Sequence, residues 1–291
     1  VVIQGSFAYV ADDSFGLQII NISNPAVPAF MGTFNTAGFA QDLAVSGNRA
    51  YIAAGGTGLQ IIDVTNPAGP TLLSTFNTAG TAKKVAVYGS YAYVADDAQG
   101  LQIVDVSNST SPVSAGSYNT VGTANGVAIS GSYAYVADGG AGGLQIIDIS
   151  NPSSPTLVGS LDTAGGALSV AVSGNYAYVA DEANGLQIID ISNPASPTAV
   201  GGYATAGTAW NVTIGGHFAY VSVGTGGLQV IDISTPASPT LVGTYNQVHP
   251  TDGLSIIAAA ASDQYVYVAN TGAGLQVLNI AAVPFSTASD T

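Results

Sequence analysis

The chain has 291 residues, 47 % of them apolar and 7 % charged, with 37 glycines and no cysteine. Disulfides, thiolate catalysis and cysteine-bound metals are therefore excluded, and a large core joined by many tight turns is expected. Seventeen acidic residues stand against three basic ones (Arg49, Lys83, Lys84), and the net charge of −14 repels phosphate backbones and anionic headgroups, which argues against nucleic acid as a partner.

The chain opens on Val1-Val2-Ile3, which reads as the middle of a strand with no leader-like segment before it, so a piece of a longer, secreted protein is expected. Scarce Lys and Arg with abundant Gly, Ser, Thr and Asn point the same way, to an extracellular or cell-surface location. From Gly16 onward a Gly-Leu-Gln string recurs at Gly58, Gly100, Gly143, Gly185, Gly227 and Gly274, spaced by 42, 42, 43, 42, 42 and 47 residues. Its fullest form is GLQIIDISNP, from Gly143 and again from Gly185. Seven copies of a unit this long predict modules that stack on their neighbours.

The fourth copy shows the plan. NGVAIS from Asn125 predicts a strand A, YAYVAD from Tyr133 a strand B, LQIIDIS from Leu144 a strand C and TLVGSLDT from Thr156 a strand D. Turns lie at Gly131-Ser132, over 138–142 and over 151–155. No window keeps a helical period over 10 to 12 residues. Strand C is apolar on both sides, Leu144 and Ile146 against Ile147 and Ile149, so its sheet must be covered on both faces. The first and last copies are as apolar as the middle ones and offer no polar cap, which favours closure into a ring over an open stack. The expectation is an all-β, seven-bladed β-propeller with four antiparallel strands per blade, the blades spanning 1–36, 37–78, 79–120, 121–163, 164–205, 206–246 and 247–291.

The strings YVAD and GLQIIDISNP resemble the LVIVD-type repeat of bacterial and archaeal surface proteins, over all seven copies. That resemblance implies a propeller fold and a place in an extracellular or cell-surface protein, with no enzymatic role attached. The last copy runs into AAVPFSTASDT, where Pro284 to Ala288 offers only a shortened strand D, so closure is the weakest part of the ring.

Antiparallel order puts the A–B and C–D turns at one end of the ring and the B–C and D–A connections at the other. Two residues before strand A break the repeat: Gln41-Asp42, Lys83-Lys84, Asn125-Gly126, Leu168-Ser169 and Trp210-Asn211. Variation on a rigid scaffold marks the D–A end as the place for a ligand or a partner. The longer connection from Asn246 to Ala258 adds His249 and Asp252 there, and Phe15 stands in the B–C turn of blade 1. Trp210, the only tryptophan, with His249, Asp252, Phe15, Lys83, Lys84, Gln41 and Asp42, forms the candidate binding set for a protein or saccharide. The alternative role for Trp210 is to plug the channel mouth.

The repeated aspartates divide. Asp63, Asp105, Asp148, Asp190 and Asp232 close strand C before a Ser/Thr turn and read as turn-capping groups. Asp12, Asp96, Asp138 and Asp181 close strand B, three of them followed by Asp13, Asp97 and Glu182, while Ala54, Val223 and Asn270 replace the first acid elsewhere. Calcium at these pairs lacks a spaced ligand series, and turn-capping is the reading taken. His217 and His249 fall at opposite ends of the ring, so they cannot share a metal. No metal, no cofactor and no catalytic triad are expected. A saccharide-active enzyme would have to draw on Asp42, Glu182 or Asp252, and a structural subunit of a filament or surface layer is the other alternative. Asn21, Asn108 and Asn211 head glycosylation-type triplets.

Overall fold

The structure, a computed structural model, describes residues 1–224, 226–245, 256–261, 265–270 and 274–279. It is the seven-bladed propeller expected. Six sheets are four-stranded with strands in chain order from inside to outside. Blade 1 consists of Val2–Gln4, Phe7–Ala11, Leu17–Asn21 and Ala29–Phe34. Blade 4 consists of Thr123–Ser130, Tyr133–Gly139, Gly143–Asp148 and Thr156–Leu161, close to the four stretches read from its sequence. The seventh sheet has the described strands Ile256–Ala261, Tyr265–Asn270 and Gly274–Asn279. Pro284 to Ala288 lies outside the described residues, as does most of the connection from Asn246 to Ala258. Among the described residues the one helical element is a single 3-10 turn, Gly140–Gly142.

Both faces of strand C are buried, and against different neighbours. Ile147 and Ile149 pack with Tyr93, Leu101 and Ile103 of blade 3, whereas Leu144 and Ile146 pack with Val170, Val179 and Ile189 of blade 5. Because the side chains alternate along the strand, each sheet serves as the covering layer of both adjoining sheets. Each fully buried Leu or Ile of this kind contributes about 1.5 to 3 kcal/mol by leaving water. The tyrosine that recurs once per blade is buried throughout, from Tyr9 to Tyr267. Ala8, Ile22 and Tyr267 cluster across the junction of blades 1 and 7, so apolar packing closes the ring.

The inner strands touch in sequence: Asp42–Ser46 with Lys84–Tyr88, that strand with Thr123–Ser130, then Ser169–Ser173, Asn211–Gly215 and Ile256–Ala261. Their first residues therefore surround the channel. At the D–A end, the B–C turns of blades 1, 2, 3 and 5 are bridged to the connection entering the next blade. Asp13 and Ala40 exchange backbone hydrogen bonds of 3.2 and 2.9 Å, and Gly55–Ala82, Asp97–Ala124 and Glu182–Ala209 are bridged likewise. The bridging residue sits at positive φ, 43° at Asp13, 54° at Asp97 and 49° at Glu182, where Gly55 serves in blade 2. The second acid of each pair thus occupies a tight-turn position that Asp tolerates better than most residues.

Candidate functional site

The residues that break the repeat fall into two tiers at the D–A end. The lower tier is inside the channel. The Lys84 Nζ donates to Ser169 Oγ at 2.8 Å and to Asn211 Oδ1, and the Ser169 hydroxyl also donates to Asn211 Oδ1 at 2.8 Å, so one cluster ties blades 3, 5 and 6 across the lumen. Asp42 lies on the same level, its Oδ2 accepting the Val85 N–H at 3.1 Å. The Lys84 side chain is half-buried. Burial lowers the Lys84 pKa, opposed by the charge of Asp42. The structure thus places Lys84 and Asp42 as the floor of the site, with their polar groups already engaged. Asn211, heading a glycosylation-type triplet, is occupied in the same cluster.

The upper tier is the rim. Lys83 pairs with Asp97 at 2.6 Å and donates to Asn125 Oδ1 at 2.8 Å, and Asn125 Nδ2 reaches the Ala167 carbonyl at 2.9 Å. Trp210 is 49 % exposed, and its indole edge lies over Gly224, where an added Cβ would stand 3.0 Å from Nε1. Phe15 is 66 % exposed. Phe39 and Val121, in the connections into blades 2 and 4, are also exposed at this end, and sequence reading missed both. Gln41 joins Asp12, Asp13, Gln18, Phe30 and Leu275 around a cavity of about 510 Å³ at the junction of blades 1 and 7. The structure brings Gln41 and Lys83 to the same rim as Trp210 and Phe15, on different blades. His249 and Asp252 lie outside the described residues.

Three of the aspartates that end strand B, Asp96, Asp138 and Asp181, are latches between blades. Asp138 accepts the Thr120 hydroxyl at 2.8 Å, the Gly122 N–H at 2.8 Å and the Gln145 amide at 2.7 Å. Asp96 takes the Thr78 hydroxyl at 2.6 Å and the Gly80 N–H at 3.0 Å, and Asp181 takes Thr163 at 2.6 Å. Where the aspartate is missing, the threonine keeps its place and turns to the backbone: Thr36 donates to the Gly38 carbonyl and Thr205 to that of Gly207 at 2.7 Å. There Gln60 and Gln229 accept the Ala37 and Ala206 N–H groups. Among the described residues no three His, Asp or Glu side chains converge as a metal cluster.

The aspartates that end strand C accept the N–H two residues on, Thr65, Ser107, Ser150, Ser192 and Ser234, at 2.8 to 2.9 Å. These are the Asx turns expected from sequence. The hydroxyl and N–H of the turn residue hold all five carboxyls below the usual range. Burial instead pushes Asp96 up to about 6, against its bonds from Thr78 and Gly80 and with help from the Asp97 charge, and raises Asp181 and Asp12. The two sets have opposite linkage. Lowered carboxyls stabilise above their unfolded value near 3.9 and lose that contribution as pH falls through the folded value; raised ones contribute fully below about 3.9 and lose it as pH rises through about 6. Stability is therefore expected to peak near about pH 4 and to decline until a little above about pH 6, beyond which these groups no longer change it. Urea midpoints from pH 3 to 8 check this, with Asp96→Asn flattening the limb between about 4 and 6. A midpoint that climbs steadily from pH 5 to 8 would contradict the assignment.

A family model described as the LVIVD repeat matches residues 1–36, 37–78, 79–120, 121–163, 164–205, 206–247 and 258–287. The chain belongs to the LVIVD repeat family. A search of curated proteins gives no significant sequence match to this LVIVD propeller. Among solved structures it is similar to the periplasmic gluconolactonase PpgL of Pseudomonas aeruginosa, with 16 % identity, TM-score 0.76 and coverage of 94 % of this chain and 92 % of that one. A protein from Lactobacillus plantarum matches at 17 % identity and TM-score 0.74, covering 94 % of each chain. The computationally designed Ika8 protein matches at 11 % identity and TM-score 0.70, covering 96 % of the LVIVD propeller and 82 % of the designed chain. An enzyme and a designed protein on one scaffold show a shared fold and nothing about a shared activity.

Proposed function

We propose that this LVIVD propeller is a non-catalytic binding module of an extracellular or cell-surface protein, which presents its D–A end to a protein or saccharide. The observation that carries the reading is the contrast between the two kinds of residue at that end. The repeated carboxylates Asp96, Asp138 and Asp181 and those that end strand C are consumed by latches and turns, while the side chains that depart from the repeat, Trp210, Phe15, Phe39 and Val121, stand exposed on a rigid rim. Exposed aromatics supply contact area, and Gln41 and the Lys83–Asp97 pair supply orientation. The lower tier of Lys84, Asp42, Ser169 and Asn211 forms a floor that holds the rim's blades in register.

A probe of glycan and peptide arrays with the purified protein is expected to return a specific binder, and incubation with gluconolactone no turnover above buffer. Lactone turnover abolished by replacing Asp42 or Glu182 would instead make it an enzyme. The second reading, a subunit of a surface assembly, is favoured by one feature: Phe30, Leu72, Val113 and Leu157 repeat as exposed apolar residues at the start of the outermost strands. Edge strands of this kind can pair between copies. Arrays without a binder, together with filaments or sheets in electron micrographs, would favour that reading.

A further inference from the structure

The opposite end of the ring carries a feature that the repeat does not call for. At the last residue of strand A, directly across the hairpin from the first residue of strand B, other blades have Gln4, Ser46, Ser130, Ser173 or Gly215. Blade 3 has Tyr88, paired with Tyr91 and 56 % exposed. The Tyr91 and Tyr93 rings follow with centroids 6.5 Å apart and planes inclined by 58°. Tyr88, Tyr91 and Tyr93 make one wall of a cavity of about 420 Å³ whose other wall is blade 4, with Ser132, Ser150 and Pro152. That volume lies within the roughly 300 to 1,000 Å³ of small-ligand sites.

The chemistry of the lining selects the ligand. No Asp, Glu, Lys, Arg or His is among the described residues that line the cavity, and the chain as a whole is strongly acidic, so an anionic ligand is disfavoured and a cationic one finds no partner. What remains are aromatic faces and hydroxyls. Tyr93 is 2 % exposed, and its burial, with the nearby Tyr91 and Tyr88 phenols, raises its pKa, so it stays a neutral phenol. At the preceding junction the Tyr51 phenol has the Ser109 side chain as its hydrogen-bonding neighbour, whereas the residue corresponding to Ser109 beside Tyr93 is Pro152, which has no polar side-chain atom. A phenol that wants a partner, two further tyrosine rings and the Ser132 and Ser150 hydroxyls match a ring with apolar C–H faces and an equatorial fringe of hydroxyls.

We propose that this pocket between blades 3 and 4 binds one or two neutral hexose units of a glycan, with Tyr88 as the stacking platform. The site is at the A–B end, and it stands whether or not the D–A end binds a partner. Saturation-transfer NMR of the full chain with a panel of neutral disaccharides (cellobiose, maltose, mannobiose, lactose) tests it. At least one disaccharide is expected to receive saturation, with its dissociation constant at least about tenfold higher in Tyr88→Ser. That variant installs the residue three other blades carry at this place, so it should fold. Val27→Ala, at an exposed turn of blade 1 outside the cavity lining, should bind the disaccharide as wild type does. An empty panel, or binding unchanged in Tyr88→Ser, would overturn the proposal. So would a proline-rich peptide that competes for Tyr88 while the sugars do not bind, since tyrosine-lined grooves also take polyproline helices.

Discussion

Gly100→Ala is expected to destabilise the propeller by about 3 kcal/mol, although it adds one methyl group on a turn. Gly100 sits at φ +70°, and a Cβ there would stand 2.3 Å from the Tyr118 carbonyl oxygen and 2.6 Å from the Thr120 nitrogen. Both are backbone atoms of the strand D exit, and they cannot swing aside as a side chain would. Left-handed strain costs about 1 to 2 kcal/mol, and forcing extra volume into a packed site costs about 1 to 3 more. Gly16, Gly58, Gly143 and Gly185 meet the equivalent carbonyl at 2.2 to 2.4 Å, which accounts for the glycine of Gly-Leu-Gln in the first five copies. Melting is expected about 6 to 12 °C lower. Gly47→Ala is the control, because Gly47 has φ +56° but nothing within 4 Å of the added Cβ, so it reports the backbone strain alone. Equal losses for the two variants would refute the clash.

Asp138→Ala is expected to cost still more, about 4 kcal/mol. Asp138 is fully buried and is the shared acceptor for Thr120, Gly122 and Gln145. Truncation leaves a hydroxyl, a backbone N–H and an amide without their partner inside the fold, and each buried polar group left unsatisfied costs about 1 to 3 kcal/mol. Asp138→Asn should lose less, since an amide keeps the shape and one acceptor while turning its NH2 toward donors. The half-buried turn carboxylate Asp148, whose bond is to Ser150, should tolerate alanine far better. Denaturant titration of the three variants checks the order. An Asp138→Ala variant no worse than Asp148→Ala would mean that the latch contributes nothing to blade cohesion.

Much of this architecture was legible because a propeller writes it seven times. Alternating side chains in YAYVAD and an LQIIDIS strand apolar on both sides dictate sheets covered on both faces, and the packing of Leu144 and Ile147 into different blades is that pattern made physical. The latch was partly legible. In blades 2 to 6 a threonine precedes the strand-B terminus by 18 residues, Thr78 before Asp96 and Thr120 before Asp138, and it persists before Ala54 and Val223. Read as a pair, that spacing would have marked the aspartate as an acceptor between blades.

The candidate site was less legible, for a geometric reason. Lys84 and Lys83 are adjacent in sequence, yet strand A begins at Lys84, so one side chain enters the lumen and the other reaches the rim. A shift of one residue in the start of a strand reverses the side to which every residue points. Phe39 and Tyr88 were passed over because the repeat identifies where side chains vary and carries no signal for which variable ones face solvent.

The central claim is that the departures from the repeat at the D–A end bind and the repeated residues only build. Calorimetric titration of the strongest array ligand into wild type and into the combined Phe15→Ala, Phe39→Ala, Trp210→Ala variant tests it most directly. Each of these rings is about half exposed or more, so each truncation should cost about 1 kcal/mol of stability or less. The account predicts a folded variant that binds the ligand at least about tenfold more weakly. A folded variant with the wild-type dissociation constant would contradict it.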